Sequence, residues 1–422
     1  MAHDRNIEIH AWVWTFAAGN TRHNAILNQP ATYPGPLIAA HPDWANYDNQ
    51  GRMIPQGQTK PFLDPANPAV RRYLLSLFEE IVTRYDVDGL QLDYIRYPFQ
   101  DVEAGRTYGY GSAARAQFSQ RTGVDPLTLS PSDRQRWEQW TAFRTEQIDS
   151  FVAETAALLD QVNPDLLLST AVFPMPTHQR RQEIQQAWET WAQRGDVDLI
   201  VLMSYAMDTN QFQRMTSPWL SNINVGSALI LPSIRLLELS EYAAIDQLQA
   251  SRDLSSGGYA LFAAADLRSP FEGMLQRTQG TRSPRQTNNQ PIPYRQPFEA
   301  AADRFIALER EWSFLLTTEQ LEIPTNLLRE WSDQSETVRE ALEALADRPT
   351  SQRLAHANQV LTQFRQRFGR WTAPYASENE YRVQTWSNRL TTLDQLLTYG
   401  EQQVLRQGNE RVIRPPGSRQ QN

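Results

Sequence analysis

Between Asn67 and Asp93 the apolar period of the chain switches from helical to strand-like, and that switch recurs along more than half of the sequence. Val70, Tyr73, Leu74, Leu77, Phe78, Ile81, Val82 and Tyr85 repeat at helical spacing behind Asn67 and Pro68, an N-cap with proline at the first helical position. After the Asp86-Val87 link comes the apolar stretch around Leu90 and Leu92, too short for a helix and readable as a buried strand. The same order returns downstream. A helix from about Ser132 to Asp160, opened by a capping box of Ser132 and Gln135, precedes the run Leu166 to Phe173. Another, from about Gln179 to Gln193, precedes Val197 to Tyr205, and strand-like runs follow at Ser227 to Ile234 and Gly258 to Ala265. With Asn6 to Trp14 as the first member, buried strands alternating with helices imply a parallel α/β sheet covered on both faces.

Residues 281–297, rich in proline and polar turn formers, read as a linker that ends a first domain spanning residues 1–280. Beyond it the strand pattern stops. Helical periodicity covers about Phe298 to Leu316, Glu336 to Asp347, Ser351 to Phe368 and Glu378 to Gln403, which gives an all-helical domain over residues 298–407. Residues 408–422, dominated by Arg, Gln and Pro, read as a disordered tail.

Strand phase turns the pattern into candidate site residues. Alternate side chains of a strand face opposite sides, so Leu90 and Leu92 point one way and Gly89, Gln91 and Asp93 the other. Asp93 ends the strand. In parallel α/β folds ligands bind at that end, where the loops leaving the strands converge. On the first strand Ile7, Ile9, Ala11 and Val13 are expected to face covering helices, and Glu8, His10, Trp12 and Trp14 the opposite side. Each residue also has a plainer use. Asp93 could pair with Arg96 as a strand-end salt bridge, His10 could be a core histidine, and Trp12 and Trp14 could be packing rather than sugar-stacking rings. Tyr94, Arg96 and Tyr97, just past the strand, could orient a substrate or hold the loop. Asp88, at the far end of the strand, suits a linking role, and solvation is the default for His178, Asp208 and Asp266.

Composition removes several classes of function. A net charge of -8 and a pI near 5.4 argue against a polyanionic partner such as nucleic acid. The absence of cysteine excludes thiolate nucleophiles, disulfides and cysteine-bound metals. No metal-binding motif of the H-E-x-x-H or Asp-rich loop type occurs, so neither a metal nor another cofactor is expected. No apolar run approaches the roughly 20 residues of a transmembrane helix, and the first ten residues hold no signal-peptide core. The compartment and any protein partners stay open.

The segments DVDGLQLDYIRYP, FLDPANPAVRRYLLSLFEEIVTRY, IEIHAWVW and HPDW, and more weakly VDLIVLMSYAMD and GGYALFAAADL, resemble the bacterial glycosyl hydrolase-like 10 family, over roughly Asn6 to Leu267. The resemblance implies a (β/α)8 barrel acting on carbohydrate, with Asp93 as catalytic carboxylate and His10, Trp12 and Tyr205 lining the cleft. Alpha-amylase-like barrels carry an arginine where this chain has Gln91. Chitinase-like barrels need a glutamate at the position of Ile95, so substrate-assisted chitinase chemistry is not expected although MSYA from Met203 is similar to one of their strands. Glycoside hydrolysis needs two carboxyl groups, one protonating the leaving oxygen and one attacking or activating water. Asp208 is the first candidate for the second, then Asp266 and Glu8. A non-catalytic carbohydrate-binding barrel or an interaction scaffold is the alternative. The fold expected is therefore a TIM-barrel-type α/β domain with six strands and a helical C-terminal domain. A closed ring has eight strands in about 250 residues. IEIHAWVW resembles the family's third strand, so the first two strands, with any export signal, are expected upstream of Met1, or else the helical region covers the gap.

Overall fold

In the computed structural model, which describes residues 2–5, 7–54, 56–221, 225–267, 269–278 and 291–405, the strands and helices alternate from the start. The order is β1 (His10–Trp14), α1 (Pro36–Ala40), α2 (Pro68–Arg84), β2 (Gly89–Asp93), α3 (Ser112–Thr122), α4 (Arg134–Val162) and β3 (Leu167–Val172). It continues with α5 (Thr177–Glu183), α6 (Trp188–Arg194), β4 (Leu199–Leu202), α7 (Thr209–Ser221), β5 (Leu229–Arg235), α8 (Glu241–Asp253), β6 (Ala260–Phe262) and α9 (Ser269–Thr278). Every later described element is helical: α10 (Pro297–Thr317), α11 (Thr325–Asp347), α12 (Ser351–Ala376), α13 (Glu380–Gly400) and a π-helical turn at Glu401–Leu405. The six strands form one sheet in chain order, with β1–β2, β2–β3 and β5–β6 parallel. This is the (β/α)-barrel class of α/β fold, with six strands among the described residues where a closed ring has eight. The chain separates into two compact units, the first ending at Ile200 and the second beginning at Val201.

In the first unit, the Asn67 side chain accepts the Ala69 N–H at 2.9 Å and Pro68 takes the first helical position, which starts α2 as its sequence implies. Val70, Leu74 and Phe78 form its buried face, each side chain contributing on the order of 1.5–3 kcal/mol by leaving water. In β2 the alternation holds: Leu90 and Leu92 are fully buried, while Gln91 and Asp93 are half-buried. Asp88, before the strand, accepts the Ile9 N–H at 2.7 Å and meets His3 at 2.9 Å, a linking role at the far end of the sheet.

Four expectations change. Ile7 and Ile9 are 55% and 45% exposed rather than covered by helices, because the strand starts only at His10 and both residues precede it. Helix α4 is capped by Asp133, whose side chain accepts the Arg136 N–H, while the Ser132 hydroxyl pairs with Ser130, so the capping box of Ser132 does not form. The helix expected over Gln179 to Gln193 is two. Gln185 adopts φ +50°, and its side-chain amide donates to the Arg181 and Gln182 carbonyls, ending α5. Gln186 accepts the Phe173 N–H and donates to the Ile95 carbonyl, tying the loop after β3 to the loop after β2. In the second unit α11 starts at Thr325, eleven residues before Glu336, and α12 runs past Phe368 to Ala376 with Pro374 inside it. Most of the linker expected at residues 281–297, and the tail at 408–422, lie outside the described residues.

The helices from α10 to α13 pack each on the next, and α13 returns to α10. Their centre is aromatic: Trp312, Trp371 and Trp386 are at most 1% exposed, with Trp331, Phe305, Phe364 and Phe368 packed among them.

Candidate active site

Register sets the levels of the first unit's polar face. In the β1–β2 pair His10 lies beside Gly89, Trp12 beside Gln91 and Trp14 beside Asp93. Gly89 is needed there, since a Cβ would come within 2.7 Å of the His10 ring and 2.6 Å of the Leu167 carbonyl. His10 therefore sits four residues below Asp93, about 13 Å along the strands. Its ring nitrogen meets the Glu8 carboxylate at 3.3 Å. The pair belongs to the inner sheet face, and neither residue is level with Asp93. Gln91 is half-buried and weakly engaged, 3.5 Å from the Ser169 hydroxyl.

Asp93 ends β2 and is held from two sides. One carboxylate oxygen accepts the N–H of Tyr94 at 2.7 Å, and the other accepts the indole N–H of Trp12 at 3.1 Å. Tyr94 takes φ +50°, which turns the chain sharply at the strand end and aims its own N–H back at the carboxylate. Burial raises the Asp93 pKa above the ordinary carboxylate range, and the Tyr94 and Trp12 donors and the charges of Arg96 and Lys60 partly offset it.

Rings and cations complete the surroundings. Trp14 and Tyr94 lie with centroids 4.8 Å apart, and the Lys60 ammonium rests 5.1 Å from one ring and 5.3 Å from the other. Trp12 is edge-on to Trp14 at 6.4 Å and remains 51% exposed. Arg96 does not form the strand-end salt bridge with Asp93. Its guanidinium is buried among Tyr94, Phe62, Phe99 and Phe173, donates to the Tyr97 carbonyl at 2.9 Å, and has its pKa pushed down to about 10 by burial. Arg96 thus holds the loop. Tyr97 is fully buried and its phenol pKa is pushed well up, so its side chain presents nothing to a ligand.

Two features had no counterpart among the expected site residues. Lys60 reaches the rings because Thr59 to Leu63 runs antiparallel beside Phe16 to Thr21, through the Ala18 N–H to Pro61, the Leu63 N–H to Phe16 and the Thr21 N–H to Thr59. A signal was present: Lys60 is the only lysine in a chain with 40 Lys and Arg residues. The second feature is a cavity of about 650 Å³ lined by Phe99, Gln58, Gln100, Arg106, Tyr108 and Glu183 among others; Asp93 is not in its wall.

The remaining candidates belong to the second unit. Asp208 is exposed and caps α7, its side chain accepting the Gln211 N–H at 2.8 Å and its carbonyl the Phe212 N–H at 3.0 Å. Tyr205 stacks on Phe262 at 5.8 Å with an interplanar angle of 17°. Asp266 ends the short turn Ala264–Asp266, half-buried. Among the described residues no three His, Asp or Glu side chains converge into a metal-binding set, and no described helix is long and apolar enough to cross a membrane.

Comparison with known proteins adds a family. The profile described as glycosyl hydrolase-like 10 matches residues 1–235. The glycosyl hydrolase DigH of Escherichia coli (strain K12) is 31% identical over 127 residues, 28% of this chain and 27% of that protein. An S-layer-related protein of Niallia circulans is 28% identical over 177 residues, 38% of this chain and 10% of its own length. The glycosyl hydrolase YngK of Bacillus subtilis (strain 168) is 29% identical over 99 residues, 23% of this chain and 17% of YngK. These matches therefore span from a tenth to about a quarter of the relatives' lengths. Among solved structures, the glycoside hydrolase domain of PgaB (BpsB) from Bordetella bronchiseptica aligns with a TM-score of 0.48 at 13% identity, covering 66% of this chain and 77% of that one.

Proposed function

The chain belongs to the glycosyl hydrolase-like 10 family, and on that premise we propose that it cleaves glycosidic bonds of a polysaccharide or cell-envelope glycan, with Asp93 as the reacting carboxylate. The observation that carries the reading is the setting of Asp93 at the carboxyl end of β2, anchored by the Tyr94 and Trp12 donors beside a half-exposed indole. Ionised, Asp93 attacks the anomeric carbon or takes a proton from the water that does so; a second carboxyl group protonates the departing oxygen. Trp12 offers its ring to a sugar face while its N–H orients the carboxylate. Because burial holds the Asp93 pKa above its ordinary value, activity that needs the ionised form falls away at a pH above the usual aspartate range.

The test is a glycan hydrolysis screen with Asp93→Asn beside the wild type. The expected loss is on the order of a thousandfold or more in rate with the fold retained, read by circular dichroism. Full activity of Asp93→Asn on a substrate the wild type cleaves ends the assignment. Asp208→Asn, Asp266→Asn and Glu8→Gln, assayed singly, sort the candidates for the second carboxyl.

One observation favours the alternative, a barrel that binds glycan without cleaving it: the first candidate for the proton donor, Asp208, is engaged as a helix cap. Glycan binding by the wild type with no cleavage product on any glycan bound selects that reading.

A further inference from the structure

We infer that Lys60 is a specificity-determining residue that anchors a carboxylate carried by the sugar bound beside Asp93, so that the site prefers acidic glycans. This rests on the reading of the Asp93 region as a glycan site and names the class of glycan it takes.

Three independent observations converge on it. Of the 40 Lys and Arg residues all but one are arginine, and the single lysine stands at this site. That ammonium is bedded on the Trp14 and Tyr94 rings, acts on Asp93 at a distance, and forms no ion pair with any described carboxylate. Lys60 is also only partly buried, so it is not sealed into the core. The nearby cation cannot serve instead: Arg96 is walled in by four aromatic rings and spends a donor on the Tyr97 carbonyl.

The chemistry of the group selects the ligand. An ammonium is a compact point charge with three rotatable donors and no planar fork, which suits one monoanionic carboxylate better than a dianionic phosphate that would call for arginine forks or a helix N-terminus. The rings beneath it shield one side of the charge from water and strengthen its attraction for an anion on the other. Trp12, half-exposed on the same strand, supplies an apolar face for the ring that carries the carboxylate.

The single lysine makes the experiment direct. Protein labelled with ¹³Cε-lysine gives one side-chain signal, which reports on Lys60 alone. Tetrasaccharides from hyaluronan and from polymannuronate are titrated in, each beside its carboxyl-reduced twin, using the Asp93→Asn protein so that nothing is consumed. We expect at least one acidic member to shift the lysine signal and to bind about tenfold or more tighter than its twin, with a preference that weakens as salt rises. In Lys60→Met the preference between twins collapses, and in Lys60→Arg, which keeps the charge, part of it remains. The inference is overturned when no acidic member moves the lysine signal, or when the preference survives Lys60→Met. Should Lys60→Met fail to fold, the wild-type signal and Lys60→Arg decide. Failure of the two readings separates cleanly: hydrolysis of glycans without acid preference removes the anchor alone, and a Lys60-dependent acid preference without hydrolysis removes the hydrolase reading alone.

Discussion

Indole N–H groups meet carboxylates in both units, and the two settings use the same pair differently. In the second unit Trp386 donates to Glu311 at 2.9 Å and Trp371 to Glu330 at 3.4 Å, from rings with no exposed surface. In the first unit Trp191 donates to Asp149 at 2.6 Å from an equally buried ring, whereas Trp12 donates to Asp93 at 3.1 Å from a ring that is half in water. In the first three, the bond satisfies the one polar atom of a large apolar side chain that packing has taken out of solvent. At Trp12 the ring has not been taken out of solvent. The pairing therefore carries no functional information by itself; what sets Asp93 apart is the strand end, the exposed ring and the Lys60 ammonium bedded on the neighbouring rings.

The sharpest way to break that contrast is to delete the rings. Trp312→Ala, in the centre of the helical cluster, is expected to lower unfolding stability by about 3–5 kcal/mol, while Trp12→Ala costs less than about 1 kcal/mol and shows its effect in glycan binding. Denaturant melts of both variants check this, and equal destabilisation would place Trp12 in the core after all.

A smaller effect separates the two first-unit pairs. Burial raises Asp149 to about 6 against the Trp191 donor that lowers it. A carboxyl whose folded pKa is raised favours the fold while protonated, so this contribution is present below the unfolded value of 3.8 and is lost as pH rises through about 6. Melts across pH 4 to about 7 should show a slope worth about 2 kcal/mol that Asp149→Asn removes. A slope unaltered by Asp149→Asn would assign it elsewhere; Asp64, fully buried with its pKa raised to about 7, carries the same sign over a higher window.

Trp12→Phe should have the smallest effect on stability, within about 0.5 kcal/mol. It keeps a ring and removes the donor that favours ionised Asp93, so the Asp93 pKa rises further and the acidic limb of the rate profile moves to higher pH. An unmoved limb would mean that the indole N–H does not bear on the carboxylate we propose as reacting.

The six strands, their order along the chain and the helical region after them were legible because each element announces itself locally. Asn67-Pro68 opens a helix, and Leu90 and Leu92 alternate with Gln91 and Asp93 whatever else surrounds them. The placement of Asp93 at a strand end was legible for the same reason. Helix ends were less so: Asp133 rather than Ser132 caps α4, and the break at Gln185 depends on an amide side chain reaching back to two carbonyls, which no period records.

What surrounds Asp93 belongs to the tertiary structure. His10 shares a face with Trp12 by phase, yet register puts it about 13 Å along the strands from the carboxylate, a separation that phase cannot express. Arg96 and Tyr97 come just after Asp93, and whether they meet ligand or loop was decided by Phe62 and Phe173, from distant segments, closing over Arg96 together with the local rings of Tyr94 and Phe99. Lys60 lies 33 positions before Asp93 (93 − 60) and reaches the site only because its segment pairs antiparallel with the chain leaving β1. Local sequence determines the direction in which a strand side chain points, since that follows from backbone geometry alone. The neighbours it meets there depend on contacts between segments far apart in the chain, and those exist only once the chain has folded.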